Sequence, residues 1–265
     1  MGKNMNMENV TTKVEGPLGV ITINRPQQLN ALDVPTLEQL EAALAEFERN
    51  NEVRVILVTG AGDKAFVAGG DIADLNSRKG LAHYNEFAEV VHRVFRRFEE
   101  CDKPTIGVIN GWALGGGTEL LLALDIRLVA EEAKLGLPEI TLGLFPGAGG
   151  TQRIIRQIPL CRAKELMFTG DHITAGEAVS LGLCNRAVPR DQLWNEATEL
   201  ARRIATKSPL VLKLLKRNLR HGSEMPLGAA LAHEQAMIGL VLDSNDAHEG
   251  CEAFLDKRAP SFKGN

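Results

Sequence analysis

Three β-rich apolar runs, GVITIN from Gly19, VRVILVT from Val53 and PTIGVIN ending at Asn110, each lead through a turn into a helical segment. Strand, turn and helix repeated in this order describe an α/β chain. The repeat lies in the order of elements and not in the residues, and it predicts successive turns of a β/α superhelix. A hairpin is expected ahead of it, around Gly16-Pro17 and Gly19 within residues 10–24. A helix should start near Asp33 with Pro35 in its first turn, burying Leu37, Leu40, Leu44 and Phe47. A longer one should bury Phe87, Val90, Val91, Val94 and Phe98. Asp125 to Ala130 reads as a strand, and Ala133 to Leu137 as an extended piece, since Leu137 precedes Pro138. From Gly147 onward the pattern turns mainly helical, with a capping box at Thr174 and Glu177 and a helix capped by Asp191. Helices from Pro209 and Pro226 carry wider apolar faces than one small lobe can bury, which points to an oligomer interface.

The chemistry concentrates in KPTIGVINGWALGGGTELLLAL, Lys103 to Leu124. Gly115, Gly116 and Gly117 are poor core filling, because adjacent glycines lose the most backbone entropy. They make sense where bare N–H groups at a helix start must approach a ligand and stabilise a developing oxyanion. Glu119 follows within the first helical turn, within reach of the same space. Gly69-Gly70 likewise precede Asp71, an N-cap candidate. Each signal also has a plain structural role. Glu119 can simply favour the helix dipole, Glu139 can cap a helix, and paired glycines can form an ordinary turn. PGAGGT, from Pro146, lacks the lysine and spacing of a phosphate loop and reads as close backbone packing near the site. No GxSxG elbow is present, which disfavours serine hydrolase chemistry.

Composition removes several other classes. A net charge of −4 over 265 residues argues against nucleic acid as the main partner. Cys101, Cys161, Cys184 and Cys251 form no CxxC pair, and the six histidines show no HExxH spacing, so no metal is expected. MGKNMNMENV lacks the apolar stretch of a signal peptide, and no run approaches the roughly 18 apolar residues of a membrane helix. The expectation is a soluble, cytoplasmic protein.

FVAGGDIADL, NGWALGGGTELLLALDIRLVAEEAKLGLPEI and LGLFPGAGGTQRIIRQI, taken together, resemble the signature segments of the enoyl-CoA hydratase/isomerase (crotonase) superfamily. ITINRPQQLNAL, TGDHITAGEAVSLGLCNRAV and EAFLDKRAPSFKG fit as well, so the resemblance covers nearly the whole chain. It implies a crotonase-like spiral of repeated ββα units over residues 1–195 and a C-terminal helical trimerisation region over 196–265. It implies that backbone N–H groups of Gly70 and Gly116 bind the carbonyl oxygen of an acyl-CoA thioester. Glu119 and Glu139 match the two hydratase carboxyls, one orienting a water toward Cβ and the other delivering a proton to Cα. The CoA moiety would lie against Gln27, Gln28 and Leu29 and the run Ala68, Gly69, Gly70, Asp71 and Ile72, with Lys257 and Lys263 as candidates for its phosphates. Acyl-CoA is then the substrate, no separate cofactor is implied, and a homotrimer or homohexamer is expected. The chain departs from the common pattern at Gln27, where a basic residue is frequent, at Ala73, often lysine, and at Leu137, often glutamine. Isomerisation of 3-enoyl-CoA on Glu139 alone, and other lyase reactions of the family, share the same oxyanion donors. An RNA-binding relative is disfavoured because the helix over Asp33 to Glu48 is acidic.

Overall fold

Alternating residues at the start of the chain build one edge of the main sheet. In the computed structural model, which describes residues 8–265, β1 (Val10–Glu15) and β2 (Leu18–Ile23) form the expected antiparallel hairpin, pairing Val10 with Ile23. The reading of the amino terminus as free of a signal peptide falls largely on residues 1–7, outside the described residues. α1 (Val34–Arg49) begins where foreseen: the Asp33 side chain accepts from Thr36 N at 2.8 Å, and Leu37, Leu40, Leu44 and Phe47 are buried.

Three turns of chain then each place one strand in the main sheet and a short one in a second sheet. The first contains β3 (Val55–Gly60), β4 (Ala65–Val67), α2 (Ile72–Asn76) and α3 (Glu89–Glu100), the last entered through a π-helical stretch over His83–Ala88. The second contains β5 (Thr105–Ile109), β6 (Trp112–Leu114) and α4 (Gly116–Leu122). The third contains β7 (Ile126–Ala130), β8 (Lys134–Gly136), a 3-10 turn over Pro138–Leu142, α5 (Gly150–Ile154) and α6 (Leu160–Thr169). β9 (His172–Thr174), α7 (Ala175–Ser180) and β10 (Arg186–Val188) complete both sheets. The main sheet runs β1-β2-β3-β5-β7-β10 and the second β4-β6-β8-β9, parallel except at the β1–β2 and β8–β9 pairs. Every residue of β3 and β5 is buried, which is why these strands read as unbroken apolar runs. The architecture is the α/β spiral of ββα units.

The helices α8 (Arg190–Ala205), α9 (Pro209–Gly222), α10 (Leu227–Leu242) and α11 (Asn245–Leu255) follow. α8 lies against β2, β3, β5, β7 and β10, whereas α9 and α10 pack mainly on each other and bury no residue completely. One sequence expectation is corrected here, and two others gain detail. The region after Gly147 holds β9 and β10 as well as helices; strands of three residues are too short to show alternation. Asp191 does not cap α8, because Pro189 occupies the N-cap and Asp191 sits in the first turn, where only its charge helps. The division expected between residues 195 and 196 falls inside α8, whose packing belongs to the sheet.

One loop fixes the approach to the second sheet. After a 3-10 turn over Pro26–Gln28, Leu29 and Asn30 take φ of 52° and 59°, and the chain bridges to Gly70 through Leu32. Asn30 is buried, donates from Nδ2 to Ala61 O at 3.0 Å and Ala65 O at 2.8 Å, and accepts from Arg25 N at 3.0 Å. Asn tolerates the left-handed region better than most residues. Asn30→Ala leaves two carbonyls unpaired and keeps the left-handed backbone. It should destabilise the protein by about 3 kcal/mol in urea unfolding.

Candidate active site

Glycines bring two helix starts of the second sheet together. Gly115 has φ 51° and ψ −120°, and a Cβ on Gly117 would lie 2.0 Å from Val67 O, so neither position accepts a side chain without moving backbone. A Cβ on Gly116 would meet Gly70 N at 3.4 Å, which places the two expected oxyanion glycines side by side. Gly116 is the first residue of α4, so its N–H has no intrahelical acceptor. At Gly70 the bridging bonds are Leu32 N to Gly69 O at 2.9 Å and Asp71 N to Leu32 O at 2.8 Å. In a parallel ladder that leaves the Gly70 N–H directed away from Leu32, to the side where α4 begins.

The two carboxyls adjoin the same space from different elements. Glu119, in the first turn of α4, is 3% exposed, and its Oε1 accepts from Ala148 N at 2.7 Å and Gly150 N at 2.8 Å. Glu139 is half-buried in the 3-10 turn after Pro138. Its Oε1 lies 2.8 Å from where a Gly115 Cβ would stand, and that point is 3.7 Å from Gly69 Cα. Glu139 Oε2 is buried without a hydrogen-bond partner. Burial first, and then the Glu139 charge, push the Glu119 carboxyl up to about 7, while the Gly150 and Ala148 amides and Arg153 pull it down. Burial also raises Glu139. Two N–H donors on one oxygen favour the ionised form of Glu119, whereas an unpartnered buried oxygen favours a neutral Glu139. The pair is thus built for unlike protonation.

The expected CoA-contacting residues fall into two groups. Gln27 and Gln28 are exposed, and Leu29 O accepts from Ala68 N at 3.1 Å, which joins that loop to Ala68, Gly69, Gly70, Asp71 and the exposed Ile72. Asp71 caps α2 through Ala73 N and Asp74 N and pairs with Arg25 at 2.9 Å, so its carboxylate is engaged in holding this loop. Burial pushes its carboxyl up, but Asp74 N–H and Arg25 more than offset this and hold it below the usual range. Lys257, exposed at φ 57°, and Lys263 stand at the other end of the chain. Among the described residues neither shares a hydrogen bond or ion pair with residues 27–29 or 68–72.

Sequence reasoning missed Ala148 and Gly150 as the donors to Glu119. Their signal was PGAGGT itself, read only as close packing: a Cβ on Gly150 would lie 2.8 Å from Glu119 Oε1. Arg25, which pairs with Asp33 at 3.1 Å and with Asp71, was missed too, and a single arginine before a proline carries no signal. Leu137 is fully buried beside the Glu139 turn, giving that carboxyl an apolar neighbour where glutamine is common.

The layout defines a class: a spiral α/β chain in which the amides of two adjacent glycine-rich helix starts and two raised carboxyls converge. The enoyl-CoA hydratase/isomerase family profile matches residues 13–265. A short-chain-enoyl-CoA hydratase of Clostridium acetobutylicum is 39% identical over 96% of this chain and 97% of its own. A crotonyl-CoA hydratase of Syntrophomonas wolfei is 39% identical over 97% and 99%. The crystal structure of an enoyl-CoA hydratase from Bacillus anthracis superposes with a TM-score of 0.94 at 38% identity, covering 97% of this chain and 100% of that one. This chain belongs to the enoyl-CoA hydratase/isomerase family.

A carboxyl raised on folding favours the folded state below its unfolded value, and that contribution is lost as pH rises through about 7. Glu119→Gln should therefore be more stabilising at pH 8 than at pH 5. The stability difference from wild type should grow by roughly 2 kcal/mol between the two, read by urea unfolding at each pH.

Proposed function

We propose that the chain catalyses reversible syn addition of water to a trans-2-enoyl-CoA, giving the 3-hydroxyacyl-CoA. One observation carries this reading: two raised carboxyls, unlike in their hydrogen bonding, flank a space that two glycine amides face. The Gly70 and Gly116 N–H groups would donate to the thioester carbonyl oxygen and stabilise the enolate as negative charge develops there. Ionised Glu119, held by Ala148 and Gly150, accepts a hydrogen bond from water and takes its proton as oxygen attacks Cβ. Neutral Glu139 delivers its proton to Cα, and proton exchange between the pair restores the starting state. A 3-enoyl-CoA isomerase needs only one carboxyl to shuttle the proton; the separate amide cradle of Glu119 favours the two-carboxyl reaction.

Acyl-CoA is the substrate in this reading, and the reaction calls for no further cofactor. The CoA moiety runs along Gln27, Gln28 and Leu29 and past Ala68 to Ile72. Lys257 and Lys263 come from a neighbouring subunit to its phosphates. The assembly is a homotrimer or a dimer of trimers, because Leu219, Leu231, Ile238 and Leu240 on α9 and α10 are exposed. The protein works in the cytoplasm; no helix of the described residues is long and apolar enough to cross a membrane.

Glu119→Gln and Glu139→Gln should each lower kcat for crotonyl-CoA by at least about 100-fold, or ~2.7 kcal/mol. The hydration reading fails if either variant stays within about tenfold of wild type. Conjugated product from 3-enoyl-CoA without hydration would assign the isomerase instead. Light scattering at micromolar concentration should give the mass of a trimer or hexamer, and a monomer would remove the assembly from the proposal.

A further inference from the structure

Glu119 is held by main-chain amides, so its position is only as fixed as the turn that carries them. Three contacts fix that turn from outside. His92 Nε2 lies 2.8 Å from Gly147 O, and because a carbonyl only accepts, that ring nitrogen carries the hydrogen. Gly147 C=O and Ala148 N–H belong to one planar peptide and point in opposite directions. Holding the first from α3 aims the second at Glu119. Arg153 Nη1 donates to Ala148 O at 3.0 Å, while its Nε and Nη2 fork onto Glu99 at 2.7 Å each. Gly149 O accepts from Arg153 N at 2.9 Å, and the same peptide turns Gly150 N–H toward Glu119.

The arrangement needs particular residues. His92 and Glu99 are seven apart, two helical turns, and so share one face of α3. Gly149 has φ 98°, and a Cβ there would fall 1.9 Å from Arg153 Nη1, so only glycine leaves room for the guanidinium over the turn. The Arg153 side chain is 14% exposed and that of Glu99 31%, which makes this fork stronger than an open surface pair.

We infer that His92 and the Glu99–Arg153 fork are positioning groups for Glu119: His92 fixes the Gly147–Ala148 peptide that donates to its carboxylate, and the fork fixes the Ala148–Gly149 peptide that joins the two donors. The inference deepens the hydratase reading and rests on it for its kinetic consequence. The charged groups facing Glu119 are Glu139 from the 3-10 turn, Arg153 from α5, and Glu99 and His92 from α3 behind Arg153 and Gly147. Loss of the Arg153 side chain removes a favourable charge and frees the peptide that joins the two donors, and each change makes the carboxylate harder to form.

The test uses the full chain and two readouts. One is kcat and KM with crotonyl-CoA. The other is the carbon-13 NMR titration of the Glu119 carboxyl, assigned by its loss in Glu119→Gln. Arg153→Gln should lower kcat at least about tenfold with KM within about threefold. It should also raise the Glu119 midpoint by about half a pH unit or more. Arg153→Lys keeps the cation and loses the fork, so the midpoint and kcat should each recover only in part. His92→Leu should raise the midpoint as well, and His92→Gln, which can still donate to Gly147 O, should restore it. An unmoved midpoint in Arg153→Gln, whether or not kcat falls, overturns the inference. If Arg153→Gln does not fold, the His92→Leu and His92→Gln pair decides by the same midpoint. A wild type inactive on every 2-enoyl-CoA would sink the hydratase reading alone, because the titration needs no substrate.

Discussion

Keeping a carboxyl buried and still able to ionise is the constraint on which the site depends. Removing Glu119 from water disfavours its charge, and a second carboxyl nearby disfavours it further. Preorganised donors oppose that trend without cancelling it, and here they are two amides of one glycine-rich turn, each within 2.8 Å of Oε1. Glu139 is less deeply buried, and burial raises it as well, but its Oε2 has no such donor to favour the charged form. Two residues of identical chemistry are thereby separated in role by the backbone around them.

The spiral explains why such donors are available. Each ββα turn adds a short strand to the second sheet, and β4 and β6 are neighbours there, so the helix starts that follow them are neighbours too. Close approach is then limited by side chains, and glycine at 69, 70, 115, 116 and 117 removes them. The loop at Leu29 to Leu32 adds a further bridge at Gly70, and Arg25 ties that loop to Asp33 and Asp71. Packing of the second sheet and orientation of the donors are one structural event.

Much of this was readable before any coordinates. Asp71 and Thr174 cap as expected because short side chains with acceptors favour those positions, and the helix expected to start near Asp33 is capped by it. The Gly115 to Gly117 run marked a close approach because Gly115, at positive φ, and Gly117, against Val67 O, leave no room for a side chain. What stayed hidden has a common cause. A three-residue strand such as β6, β9 or β10 shows no period, and its pairing is decided by distant chain. Likewise Ala148 and Gly150 act through N–H groups that every residue but proline possesses, so nothing in their side chains announces the carboxyl they serve. Arg25, His92 and Arg153 act through folded geometry alone.

Main-chain recognition also sets where selectivity can reside. In the proposed hydration a carbonyl oxygen held by two amides would look the same in every acyl thioester, so Gly70 and Gly116 would not distinguish one acyl group from another. Discrimination by apolar walls is graded, on the order of 1–3 kcal/mol per methylene. In that reaction it would fall to side chains beside the fixed machinery, where large exposed ones stand: Ile72 follows Asp71, Ile140 follows Glu139, and Trp112 leads into the glycine run. None of them lies against Gly69, Gly70 or Gly115 to Gly117 or in the turn that grips Glu119. Chemistry and selectivity would in this way be carried by different parts of the chain, the first by closely packed backbone and the second by exposed side chains.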